Sequence, residues 1–246
     1  MPEALQGGSL ADTHEGKPGL PRGRSRLPTP AVQASQRDRL LRAVIAAVAE
    51  AGYPAVTVAG IVRRAKVSRA AFYEHFADKE DCFLAATHEG GQLLADRVVS
   101  ATRDLPSSAP DEEVLRVACR AFLGFLADEQ AFAQVFHIDM PAAGPEAVER
   151  VQAAALRFAE LNAEWHRKAL ARHPDWPVVP DEAYRALAGA SAELVRSLVT
   201  ADKTEALPDL EDSLVALHLA VMAARPWTSP ARMLTNAGAQ TRPPQR

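Results

Sequence analysis

From residue 31 to residue 105 the chain holds a single proline, Pro54, and within that stretch helix-starting residues recur at short intervals. Ser35, Thr57, Ser68 and Asp78 each precede a run with helical apolar spacing. Each carries a side-chain oxygen of the kind that caps free backbone N–H groups. The spacing predicts a first helix from Ser35 through Ala51, stopped by Gly52, with Leu40, Leu41, Val44, Ile45 and Val48 on one face. A short second helix with Ile61, Val62 and Ala65 follows Thr57, and a third runs from Ser68 to about Phe76. Only a tight turn at Lys66-Val67 separates these two. Two short helices joined in this way describe a helix-turn-helix, whose second member enters a DNA major groove. The 49 alanines of the 246 residues point the same way, because Ala is the best helix former and a poor strand former. The expected fold class is all-α.

The remaining pattern is of longer helices. A fourth starts at Asp78, with Glu80 and Asp81 in its positive first turn, and reaches roughly Thr102. Gly90-Gly91 inside it predict a kink, a close approach or a pivot, since each glycine costs about 1 kcal/mol against Ala. A fifth helix begins near Asp111, and an aromatic sixth holds Phe132, Val135 and Phe136 before a break at Pro141–Gly144. Three more are expected at 145–172, 181–201 and 207–224, giving about nine helices in total. The expected organisation is a disordered basic arm (1–34), a helix-turn-helix DNA-binding domain (35–80), a helical effector-binding and dimerisation domain (81–225) and a flexible tail (226–246).

Net charge is −3, which excludes a polybasic chain, but the charge is unevenly placed. Between Arg22 and Lys79 there are eleven Lys+Arg and four acids, a net of +7. A basic front on an acidic body is the asymmetry expected where one part meets an anionic polymer. Cys82 and Cys119 form no paired thiol motif, which fits a reducing compartment. No stretch of 18 apolar residues suggests a membrane span, and a cytoplasmic location is expected.

Enzymatic motifs are not found. His88-Glu-Gly-Gly-Gln92 misses the zinc-helix signature at Gln92, and Gly189-Ala-Ser191-Ala misses the nucleophile elbow. His166 and His173 have no Cys or carboxylate set at metal spacing. His137-x-Asp139 is the one close acid/base candidate. The expectation is no enzyme, no cofactor and no metal, with a helical enzyme, or a scaffold that has lost DNA binding, as the alternative.

The stretch LLRAVIAAVAEAGYPAVTVAGIVRRAKVSRAAFYEHFADKEDCFLAA resembles the TetR family of transcriptional regulators. Ala51-Gly52-Tyr53, Thr57-Val58, Ile61, Ala65, Val67-Ser68-Arg69, Phe72-Tyr73, His75-Phe76 and Lys79-Glu80 stand in the family order without gaps. Lys66 departs from it, standing where the family turn usually has Gly, and Ala70-Ala71 replace a common Gly-Thr pair. At positive φ a non-Gly residue costs roughly 1–2 kcal/mol.

The resemblance implies that Tyr73 and His75 project toward DNA phosphates while Phe72 and Phe76 pack inward. Thr57, Ser68 and Lys79 lie at helix N-termini, which favour anions. Lys66 is placed to face a phosphate, Arg69 to read a guanine edge, and Ala71 to touch a thymine methyl. So short a reading helix implies a homodimer on a palindromic operator, with recognition helices about 34–36 Å apart. The family resemblance assigns the dimer interface to the eighth and ninth helices, at Ser191, Leu194, Leu198, Leu214, Leu217, His218 and Val221. A small-molecule pocket is expected among the middle helices, lined by Phe122, Phe125, Phe132, Phe136, Phe158 and Trp165. Its polar handles would be His88, His137, Asn162 and Glu193, and scarce cations there hint at a hydrophobic effector. A ligand pressed on the fourth helix near His88 to Leu94 would tilt it and respace the recognition helices. The expected protein is therefore a ligand-responsive regulator, a repressor by the family's usual mode.

Overall fold

The computed structural model describes residues 9–11 and 29–223; residues 1–8 and 12–28 of the expected arm and the expected tail, 226–246, lie outside the described residues. The described chain is helical, with no strand among the described residues. α1 spans Thr29–Ala51, α2 Val58–Ala65 and α3 Arg69–His75. They are followed by α4 (Lys79–Arg103), α5 (Asp111–Asp128), α6 (Gln130–Gln134), α7 (Pro145–Leu170), α8 (Asp181–Thr200) and α9 (Glu211–Met222).

Local chemistry explains the boundaries of the short helices. Thr57 Oγ1 accepts from the Gly60 N–H at 3.1 Å, Ser68 Oγ from the Ala71 N–H at 3.1 Å, and Asp78 Oδ1 from the Asp81 N–H at 2.9 Å. Each bond satisfies a donor that the first helical turn leaves free. α2 ends in a left-handed residue, Lys66 at φ 52° and ψ 41°, and the Val67 N–H closes back onto the Val62 carbonyl. That 6→1 bond is the Schellman closure, which normally recruits glycine.

α1 corrects the expected start. It begins at Thr29, so Ser35 lies inside the helix and residues 29–34 form its first turns. Pro30 sits in the first turn, where its missing N–H has no intrahelical partner to lose. Ser9–Ala11, from the expected disordered arm, are held against the body. Ser9 Oγ and the Leu10 N–H both donate to Glu129 Oε2, Arg42 donates to the Ser9 carbonyl, and Leu10 is buried. The expected ninth helix is split: Thr204–Leu210 is a 3-10 turn containing Pro208, and α9 begins only at Glu211. Between α6 and α7 the backbone widens to a π-turn over Val135–Asp139 and then tightens to a 3-10 turn over Met140–Ala143.

One apolar core runs through the whole described body. Leu40, Leu41, Ile45, Ile61 and Phe72 close the α1–α3 module and join, through Phe83, Leu123, Leu126 and Phe132, to Val195 and Val215. α1 packs on α2 and α3 and also on α4 and α6, so it belongs to both halves. Gly90 is the close approach expected of the Gly90-Gly91 pair. A Cβ there would lie 2.3 Å from the Phe132 ring, whereas at Gly91 it would meet nothing within 4 Å.

Candidate DNA-reading face and effector cavity

α3 presents one side to solvent and buries the other. Phe72 and Phe76 are buried, and Arg69, Ala70, Tyr73 and Glu74 are exposed. The Arg69 guanidinium stands 5.7 Å from the Tyr73 ring centroid and donates from Nη2 to the Tyr73 hydroxyl at 3.4 Å. The pair thus extends a planar cation and a phenol from one turn of the recognition helix. A guanidinium can read a guanine edge bidentately, and a phenol can donate to a phosphate. Lys66, Thr57 and Ser68 are exposed at the helix ends beside it. Arg64 is drawn back to Glu50 across the module.

Three sequence expectations change here. Ala71 is buried, so its methyl packs inward and cannot reach a base. His75 is half-buried and its Nε2 is sealed without a partner; desolvation, reinforced by the Arg37 charge, lowers its pKa, so the neutral ring serves packing rather than a phosphate. Lys79 Nζ donates to the Tyr53 and Val56 carbonyls at 3.2 and 3.0 Å and lies 4.4 Å from the Tyr53 ring centroid. Its ammonium closes the loop before α2 instead of standing free beside α3.

A cavity of about 700 Å3 opens among α4, α5, α7, α8 and α9. His88, Phe122, Phe132, Phe136, His137, Phe158, Asn162 and Glu193 line it, as the sequence suggested for a pocket. Phe125 and Trp165 do not. Phe125 is buried between Phe132 and the Arg97 guanidinium. Trp165 belongs to a separate stack with His166 and Trp176, in which His166 Nδ1 and the Tyr184 hydroxyl are 2.8 Å apart. Ser191, Leu214 and His218, expected at a dimer interface, also line the cavity, and Leu214 and His218 are buried within this one chain. Leu194, Leu198, Leu217 and Val221 are half-buried on the flank of α8 and α9.

Several lining residues were not legible beforehand. Gln92, Met140, Leu161 and three arginines, Arg150, Arg157 and Arg196, complete the wall. Two of those cations are engaged, Arg150 with Glu146 and Arg196 with Glu193. Burial alone drives the His137 pKa down to about 4, so the ring is neutral at physiological pH. His137 and Asp139 do not form the acid/base pair considered earlier: His137 lines the cavity, whereas Asp139 accepts from Gln134 and lies by the Gly52 turn. Cys82 and Cys119 are buried thiols whose desolvation raises their pKa values, that of Cys119 to about 12. Among the described residues no group of three His, Cys, Asp or Glu could hold a metal ion, and no helix is long and apolar enough to cross a membrane.

Two elements connect the cavity and the exposed face of α3. α4 lines the cavity from Thr87 to Val98 and begins at Lys79, which is tied to the module loop. The 135–143 segment contributes Phe136, His137 and Met140 to the cavity and packs its other side on α1 and on the Tyr53–Ala55 turn.

Residues 40–86 match the family described as bacterial regulatory proteins, tetR family. The HTH-type transcriptional activator FasR of Mycolicibacterium smegmatis is 32% identical over 106 residues, 42% of this chain and 47% of that protein, so the match spans about half of the relative's length. Among solved structures, the fatty acid degradation regulator FadR of Bacillus halodurans superposes with a TM-score of 0.67 at 20% identity, covering 75% of this chain and 94% of that one. FadR of Bacillus subtilis, solved in complex with stearoyl-CoA, gives 0.65 at 18% identity over 74% and 97% of the two chains. These two likenesses show a shared fold over both halves. Residues 40–86, which hold the helix-turn-helix, are thus similar to the tetR family of bacterial regulatory proteins, and the nine-helix architecture among the described residues shares its fold with the two FadR structures.

Proposed function

We propose that this protein is a ligand-responsive, DNA-binding transcriptional regulator, a cytoplasmic homodimer rather than an enzyme. In this reading it is released from a palindromic operator when a small hydrophobic molecule fills the cavity. The observation that carries the reading is the exposed Arg69–Tyr73 pair on a capped recognition helix, backed by a cavity that shares α4 with it. Residues 35–80 would act as the reading module and 81–225 as the effector and dimerisation half. Thr57, Lys66 and Ser68 would position the module on phosphates, and Arg69 would specify a base. The half-buried Leu194, Leu198, Leu217 and Val221 suit pairing across a two-fold axis.

The cavity's size falls within the usual range for small-molecule sites. The stearoyl-CoA complex of the Bacillus subtilis protein supports a long apolar ligand in this fold. FasR carries the name of an activator, which favours a second reading: the same release device controlling activation, with the sign set by where the operator lies relative to the promoter.

Selection from a random duplex pool tests the function. Pseudo-palindromic half-sites about one helical turn apart should be enriched, and Arg69→Ala should relax one position of each half-site by about 1–3 kcal/mol. No enrichment by the wild-type chain would overturn the reading.

A further inference from the structure

His218 sits buried in the α9 wall of the cavity, and its chemistry is fixed by the helix that carries it. Its Nδ1 lies 2.7 Å from the Leu214 carbonyl. A carbonyl only accepts, so Nδ1 holds the proton and Nε2 of the neutral ring is a bare lone pair. Nε2 has no partner among the described residues, and burial lowers the ring's pKa, which keeps that lone pair available at neutral pH. His137 has no hydrogen bond among the described residues, so its tautomer can suit a donor or an acceptor. Around them the wall is apolar, with Leu94, Phe122, Met140 and Phe158. The lining arginines are only partly covered by protein, and two of the three are already paired with glutamates. A carboxylate placed against His218 would therefore meet a lone pair, and the remaining lining cation, Arg157, is exposed.

We propose that the effector is a neutral molecule with an apolar body and a hydrogen-bond donor, a hydroxyl or an amide N–H, given to Nε2 of His218. His218 is then the residue that sets specificity inside the cavity. This inference rests on the cavity's being the effector site. A ligand without the donor desolvates Nε2 and leaves it unpaired, which should weaken binding by about tenfold.

The test is calorimetric titration of the full chain at neutral pH with three probes of equal chain length: decanol, its methyl-ketone analogue and decanoate. Decanol should bind about tenfold more tightly than the ketone, with decanoate weakest. His218→Phe should bring decanol down to the ketone's affinity, and its retained ketone binding reports an intact fold. Equal binding of decanol and ketone by the wild type, or tightest binding of decanoate, would overturn the proposal without reference to any variant. If no probe binds, or if Ala154→Trp, which plugs the cavity, leaves binding unchanged, the cavity reading itself fails and takes the proposal with it.

Discussion

Ile61 and Phe72 have no exposed surface where α1, α2 and α3 meet, whereas α4, α5, α7, α8 and α9 surround about 700 Å3 of open space. The front module fills its centre and sends its distinctive groups, Arg69 and Tyr73, outward. The body does the reverse and keeps His137 and His218 at an internal wall. A surface that must fit a rigid, regular duplex is served by a tightly closed support. A site that must admit and release a molecule needs volume that its own side chains leave unfilled.

The contrast breaks most sharply if the front core is emptied. Phe72→Ala should cost about 3–5 kcal/mol in denaturant unfolding, and DNA binding should be lost with the fold. The next effect belongs to the body and to pH. His137 titrates at about 4 in the folded chain against 6.5 for a free imidazole. As pH falls through 6.5 the unfolded chain takes up that proton and the folded chain does not. Stability is thus full above pH 6.5 and declines by as much as ~3 kcal/mol toward pH 4. His137→Phe should flatten part of that decline in urea melts recorded at stepped pH.

A paired substitution on α4 sharpens the comparison. Gly90→Ala would place its Cβ in the Phe132 ring and should destabilise by about 1–3 kcal/mol. Gly91→Ala points into open space and should stabilise by about 1 kcal/mol, as read by thermal unfolding. Smallest among these, Ser68→Ala removes the cap of the recognition helix and should cost roughly 1 kcal/mol while leaving the cavity's probe affinities unchanged.

The same contrast explains what could be read in advance. The caps at Thr57, Ser68 and Asp78 act within three residues, so the front module was legible almost residue by residue. Ser35 misled because a capping side chain can also sit inside a helix, and Pro30 was the better marker of the start. In the body, helical spacing identifies an apolar face but not what that face meets. Phe122 and Phe158 turned to the cavity, while Phe125 met Phe132 and Trp165 joined Trp176. Arg157 was overlooked because its role depends on where α7 runs beside α8, a long-range fact. Ala71 and His75 failed for a similar reason. Their positions on α3 are local, but their burial is set by the packing of α1 and α2 around it.

On the proposed function, the Arg69–Tyr73 face binds duplex DNA together with phosphate contacts from the residues beside it. Binding of a fluorescent selected duplex, measured from 50 to 200 mM salt, addresses it directly. A dimer with about 6–10 phosphate contacts should lose about 10³–10⁵ in affinity across that range, and Arg69→Ala should keep that salt response while losing part of the preference for the selected duplex over a random one. Affinity that does not respond to salt, or that is the same for selected and random duplex in the wild type, would contradict the account.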